Sequence, residues 1–190
     1  MMIRTALASL FLLAAFVAAP RADEKKEAPK DASKSGNLER FKLLAGEWVG
    51  KMSGGEDKAS TAAVVRYKVT SGGTTVVETI GPDSPHEMVT VIHPDGDALA
   101  LTHYCMIGNQ PHMKAEGKSD GNKVVFKFVS ASNMKSDKDM HMHEVVFTFI
   151  DKDTLKTEWT NYNDGKPAGT EVFDLKRKKP GRPGAKRVDD

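Results

Sequence analysis

The chain of 190 residues is long enough to bury the core of one domain, and 39% of its residues are hydrophobic and 28% charged. Its single cysteine excludes an internal disulfide, so the stability of the fold must come from packing. The net charge is +2, but the charges are unevenly distributed along the chain. Residues 37–175 carry 15 basic and 20 acidic side chains, whereas residues 176–190 carry seven basic and two acidic side chains. Because the central part is acidic, nucleic acid is not the expected partner.

The N-terminus has the pattern of a secretory signal peptide over residues 1–22. Arg4 precedes an apolar stretch from Ala6 to Ala19, which is shorter than the roughly 20 residues of a membrane span. No later stretch is apolar enough to cross a bilayer. The sequence therefore predicts a periplasmic or secreted protein without a membrane span. Residues 23–36 are charged and lack large apolar side chains, so we expect a disordered leader there.

A short helix is predicted next, with Asn37 as its N-cap and Gly46 at its end. From Gly46 the apolar residues recur with a period of two, which is typical of β-strands with one buried face. The predicted strands are Gly46–Ser53, Thr61–Thr70, Thr74–Ile80, His86–His93, Asp97–Cys105, Pro111–Lys118, Asn122–Ser130, Asp139–Ile150, Thr154–Tyr162 and Ala168–Lys176.

The joins between these strands are mostly short and rich in Gly and Asp, as in Pro94–Gly96 and Asp164–Lys166. Such joins are typical of hairpins between neighbouring antiparallel strands. The sequence thus predicts an all-β fold: an antiparallel up-and-down barrel of about ten strands with a short N-terminal helix, over residues 37–176. Closing the barrel would remove both exposed sheet edges. Residues 177–190 are predicted to be a basic, disordered tail.

In an up-and-down barrel, odd strands end at the same rim at which even strands begin, and this rim we call the mouth. Five of the six histidines, all except His93, fall at the mouth in this arrangement. Alternation along the strands predicts an apolar interior with polar groups near the mouth, as in many sites for small ligands. We therefore predict that a small apolar or amphipathic molecule binds to His103, Cys105, Met113, His141, His143, Trp159, Asn161 and Glu171.

Other interpretations of the mouth stay open. His141 and His143 are two residues apart on one strand, roughly 6.6 Å between Cα atoms, and could share a metal ion. The mouth histidines could also bind a haem. His103 and Cys105 lie three strands away, about 14 Å along the sheet, which argues against one ion joining both pairs. Alternatively, the mouth histidines bond only to water or to each other, or the protein is a non-enzymatic exported domain whose basic tail contacts other surfaces.

Enzyme signatures are scarce in the sequence. It contains no G-x-S-x-G, H-E-x-x-H, phosphate-loop or dinucleotide-binding motif. Cys105 could pair with His103 or His141 as a nucleophile and base, but no third group to orient the histidine is apparent. The sequence therefore favours a binding protein over an enzyme.

Several motifs resemble those of exported bacterial calycin-like proteins, which include lipocalin-like and nitrobindin-like barrels. Residues Leu44–Gly50 resemble the L-x-G-x-W-x-G opening of these barrels, and further similarity lies in residues 102–105, 108–111, 141–143, Trp159 and 164–166. The resemblance implies a ten-stranded barrel whose base is closed beside an N-terminal helix. It also implies haem binding through a late histidine, but this sequence has no histidine after His143, so no haem ligand is carried over.

Overall fold

The structure, a computed structural model, describes residues 32–54, 59–116 and 121–179, with side chains from Asn37 onwards. The predicted signal peptide, residues 23–31 of the predicted leader and residues 180–190 of the predicted tail lie outside the described residues. Among the described residues, no helix is long and apolar enough to cross a membrane.

Ten antiparallel strands form a closed barrel in sequential order, as the alternation of the sequence predicts. β1 pairs with both β2 and β10, which closes the sheet. The strands are β1 Gly46–Gly54, β2 Thr61–Thr70, β3 Thr75–Ile80, β4 Met88–Asp95, β5 Ala98–Tyr104, β6 Gln110–Ala115, β7 Lys123–Ser132, β8 His141–Asp151, β9 Thr154–Asn163 and β10 Lys166–Arg177.

The helix, α1, spans Ala32–Lys42 and begins five residues before the predicted cap at Asn37. The sequence placed residues 32–36 in the leader, whereas in the structure they belong to α1. The helix is anchored by packing: Leu38 and Phe41 are buried, and the Phe41 ring meets those of Phe126, Phe147 and Phe149 edge-on. A turn that is anchored in this way can extend towards the N-terminus at little cost.

Arg177 ties this helix to the base of the barrel, the end opposite the mouth. Its guanidinium donates hydrogen bonds to the carbonyls of Leu43 (2.6 Å), Ala45 (2.9 Å) and Lys152, and it lies 4.4 Å from the centre of the Trp48 ring. The sequence placed Arg177 in the tail because a basic residue lacks an apolar partner in a periodicity pattern. It is the last residue of β10.

The lower part of the barrel is filled by side chains. The two tryptophans, Phe126, Phe147 and aliphatic residues from most of the strands pack with Phe41 into one core. Among the described residues, the open space inside the barrel therefore lies nearer the mouth.

Candidate ligand site at the barrel mouth

A cavity of about 390 Å³, the large mouth cavity, opens at the rim beside the ends of β1 and β3 and the start of β2. Its walls are mostly apolar, and its polar groups are Ser84, His86 and Glu171. Its apolar lining includes Met52, Ala63, Ile80, Met88, Met106 and Phe173. This volume and this composition are typical of sites for small organic ligands.

A second cavity of about 100 Å³, the small mouth cavity, shares Met88, Met106 and Glu171 with the first. It is further lined by Cys105, Ile107, Met140, His141, Met142 and Asn161. Four of the eight predicted site residues, Cys105, His141, Asn161 and Glu171, thus line the two mouth cavities. Burial raises the pKa of the Glu171 carboxyl and of the Cys105 thiol.

Cys105 lies in the turn after β5 and not at the end of the strand as predicted. This turn folds across the mouth, because the Cys105 N–H bonds to the Asn109 carbonyl (3.2 Å) and the Asn109 amide donates to the Met140 carbonyl (2.8 Å). Cys105 and His141 therefore line one cavity, although they were predicted to lie far apart. The prediction counted strands along the sheet and could not include a loop that crosses the mouth.

Three other predicted site residues, His103, Met113 and Trp159, are packed in the interior and line neither mouth cavity. The His103 ring lies 4.7 Å from the Trp159 ring, and only 1% of the residue is exposed. Burial lowers the pKa of His103 to about 4. His103 is therefore neutral at physiological pH, and its contact with a ligand stays a prediction.

The eighth residue, His143, is displaced by a β-bulge. Met142 pairs with Asn161 and Val145 with Trp159, so two residues on β8 lie opposite one on β9. As a result Met142 lies on the interior side, and the prediction that His143 shares the inner face with Val145 is wrong. A bulge adds one residue to one strand and reverses the alternation beyond it.

His143 instead lies stacked between two aromatic rings. Its ring is 3.7 Å from that of Tyr162 and 5.0 Å from that of Phe128, nearly parallel to both. Burial and, to a smaller extent, the charge of His141 lower the pKa of His143.

Hydrogen bonds already occupy the ring nitrogens of His141 and one ring nitrogen of His143. Nδ1 of His141 lies 2.7 Å from the Asp139 carbonyl and must donate to it, so in the neutral ring Nε2 carries the lone pair. That lone pair accepts from Nδ1 of His143 at 2.9 Å. In this arrangement the two histidines do not offer two lone pairs to one metal ion.

Sequence reasoning missed a buried polar row that crosses four strands. Tyr67, Glu78, Thr90 and His103 are successive cross-strand partners on β2 to β5. The Tyr67 hydroxyl donates to Glu78 at 2.6 Å, Thr90 bonds to Glu78, and the Thr90 hydroxyl lies 3.0 Å from Nδ1 of His103. The sequence did offer one sign of this row: Glu78 lies on the same face of its strand as the apolar residues Val76 and Ile80, and that face points inward.

This row holds a carboxyl group in an apolar environment. Burial raises the pKa of Glu78 to about 7 and that of Tyr67 well above its usual range. Glu78 Oε2, His103 Nε2 and Trp159 Nε1 have no hydrogen-bond partner among the described residues. Buried polar atoms are seldom left without a partner, so these three mark the places where water or a ligand atom would bond inside the barrel.

Comparison with known proteins supports the fold and no more. No protein-family model matches the chain, and no curated protein is a significant match. The crystal structure of Rv2717c from M. tuberculosis is similar over 75% of this chain and 97% of its own, with a TM-score of 0.53 and 14% identity. A protein of unknown function from the DUF3598 family of Nostoc punctiforme covers 73% of this chain and 48% of its own, with a TM-score of 0.44 and 10% identity. At this identity the likeness to Rv2717c is one of fold.

Proposed function

We propose that the protein binds a small apolar or amphipathic molecule in the large mouth cavity. The observation that carries the proposal is an apolar cavity of about 390 Å³ at the open end of a barrel whose base is closed by α1. Removing apolar surface from water stabilises a complex by roughly 25 cal/mol per Å². Ser84, His86 and Glu171 would orient the polar part of the ligand. We also propose that the chain is exported, on the pattern of residues 1–22 alone.

An uncharged fluorescent probe, N-phenyl-1-naphthylamine, tests this proposal by titration. We expect Ala63→Leu to weaken binding of the probe at least about tenfold, because the added side chain occupies the apolar end of the cavity. Ala115→Leu is the matched control. Both alanines are 8% exposed and face the interior, but Ala115 ends β6 at the base and lines neither mouth cavity.

Thermal unfolding of both variants checks that each still folds. Equal weakening by both variants, or by neither, would contradict the proposal. Should Ala63→Leu not fold, NMR of the wild-type protein with ¹³C-labelled methionine methyl groups decides. The methyl signals of Met52, Met88 and Met106 should shift with the probe, whereas that of the core residue Met113 should not.

A further inference from the structure

The small mouth cavity is rich in sulfur. Five of its nine lining residues carry a sulfur atom: Met88, Cys105, Met106, Met140 and Met142. They come from the start of β4, the turn after β5, and the segment that leads into β8. The hydrogen bond from Asn109 to the Met140 carbonyl holds the last two of these segments together across the mouth.

These methionines differ from those that fill gaps in a core. Met113, which is 1% exposed, is of that kind. In contrast, Met106 is 57% exposed and Met140 is 45% exposed, although burying an apolar side chain is favourable. Filling space does not account for these exposed thioethers around a half-buried thiol.

The other donors nearby are few or already bonded. The two nitrogens of His141 are both used, by the Asp139 carbonyl and by His143. Within the described ranges, no three His, Cys, Asp or Glu side chains are grouped to hold a metal ion. Glu171 is the one carboxyl among the lining residues of this cavity, so the cavity lacks a full imidazole and carboxylate set of the kind that zinc prefers. It offers instead the thiol and thioethers that select Cu(I).

A second observation indicates that this cavity holds something. Asn161 lines it, is only 7% exposed, and its Oδ1 has no hydrogen-bond partner among the described residues. An amide oxygen buried in this way is stabilised when a polar or charged occupant lies close to it.

We propose that the small mouth cavity binds one Cu(I) ion through sulfur, with Cys105 and Met142 as the inner ligands. Met88, Met106 and Met140 supply the further thioethers. Binding breaks the S–H bond of Cys105, forms an S–Cu bond and releases the proton to solvent, while copper keeps its oxidation state.

Anaerobic titration of the full chain with Cu(I), in competition with bicinchoninate, tests this site. We expect one tightly bound ion per chain and shifts of the methyl signals of Met88, Met106, Met140 and Met142 in the labelled protein. The signal of Met113 should not move. Tight binding of Zn²⁺ in place of Cu(I) would overturn the proposal, because thioethers are poor ligands for zinc.

Substitutions locate the ion. Cys105→Ser and Met142→Leu should each lower Cu(I) affinity at least about tenfold, with Met113→Leu, a change in the core, remaining within about twofold. If Met142→Leu does not fold, Met106→Leu gives the same test at an exposed position. Unchanged affinity in a Cys105→Ser, Met106→Leu double variant would refute the site.

The copper site and the organic ligand site can fail separately. Ala63 lines only the large mouth cavity, so Ala63→Leu should reduce probe binding and leave Cu(I) binding unchanged. Cys105→Ser should reduce Cu(I) binding and leave probe binding unchanged, because Cys105 lines only the small mouth cavity.

Discussion

Glu78 and His103 are buried in one polar row, and their pKa values shift in opposite directions. The folded pKa of Glu78 is about 7 against an ordinary 4.5, so the folded chain keeps this proton above the pH at which the unfolded chain loses it. Its contribution to stability therefore falls as the pH rises from about 4.5 to about 7. The folded pKa of His103 is about 4 against 6.5, so its contribution falls as the pH drops from about 6.5 to about 4.

Because these slopes are opposite, we expect removal of either group to change how the free energy of unfolding depends on pH. Each group contributes a slope of about 1.4 kcal/mol per pH unit, so the two cancel between about pH 4.5 and pH 6.5. Relative to wild type, the free energy of unfolding should rise with pH across this window in Glu78→Gln and fall with pH in His103→Gln. Urea unfolding at a series of pH values measures the free energy of unfolding of each protein. Parallel pH profiles for the wild type and the two variants would contradict the prediction.

At the residue scale, four of the eight predicted site residues line the mouth cavities, and the direction in which His143 points was not predicted. The set at the mouth follows from strand order, which turn residues determine locally. The orientation of His143 depends on one extra residue in β8, which leaves its ring stacked on Phe128 and Tyr162 from the two neighbouring strands. The alternation of β3 predicts that Glu78 points inward. Its place in a polar row depends on its partners Tyr67 and Thr90, which alternation along one strand does not identify.

At the scale of elements, α1 and the turn after it form the floor of the barrel. Leu44 is 4% exposed, and its carbonyl accepts a hydrogen bond from the Trp48 indole at 2.7 Å. Its neighbour Leu43 is 75% exposed. The two adjacent leucines therefore differ in burial and hardly in sequence context, which makes them a matched pair.

We expect Leu44→Ala to lower the free energy of unfolding by about 2–5 kcal/mol, because it leaves a cavity under the barrel. Leu43→Ala should change it by less than about 0.5 kcal/mol, since its side chain is mostly in water already. Denaturant unfolding followed by tryptophan fluorescence measures both changes. Similar losses in the two variants would show that this turn does not pack as described.

The strands were predictable because a period of two is a local property, visible without knowledge of the partner strand. All ten appear in the structure with boundaries close to the predicted ones. The helix was less predictable, since its extent depends on the anchoring of Phe41 among three rings from β7 and β8. The position of the turn from Cys105 to Asn109 was not predictable, because it depends on hydrogen bonds from Asn109 to the Met140 carbonyl and from Asn133 to the Gly108 carbonyl.

At the scale of the whole molecule, Arg177 connects the end of β10 to the turn that follows α1. A chain that ends at Lys179 keeps the described contacts of Arg177 and Lys178. A chain that ends at Lys176 loses the bonds to Leu43, Ala45 and Lys152 and should be less stable by at least about 2 kcal/mol.

That loss corresponds to roughly 5 °C in the midpoint of thermal unfolding for a domain of this size. Calorimetry of the two truncated chains measures the difference. Equal midpoints would mean that Arg177 does not tie the helix to the base. Arg177→Lys in the full chain is the companion variant: its ammonium cannot make the forked bonds of a guanidinium, so we expect an intermediate midpoint.

The pairing of β1 with β10 also has a consequence for how the protein is made. Val49 pairs with Lys176, so the first and last strands must find each other across nearly the whole folded sequence. Contacts of such long sequence separation form slowly. One edge of β1 therefore stays unpaired until the final strand, β10, is available in the compartment where the chain folds. We therefore expect closure of the barrel to follow translation and to be the step at which aggregation competes with folding.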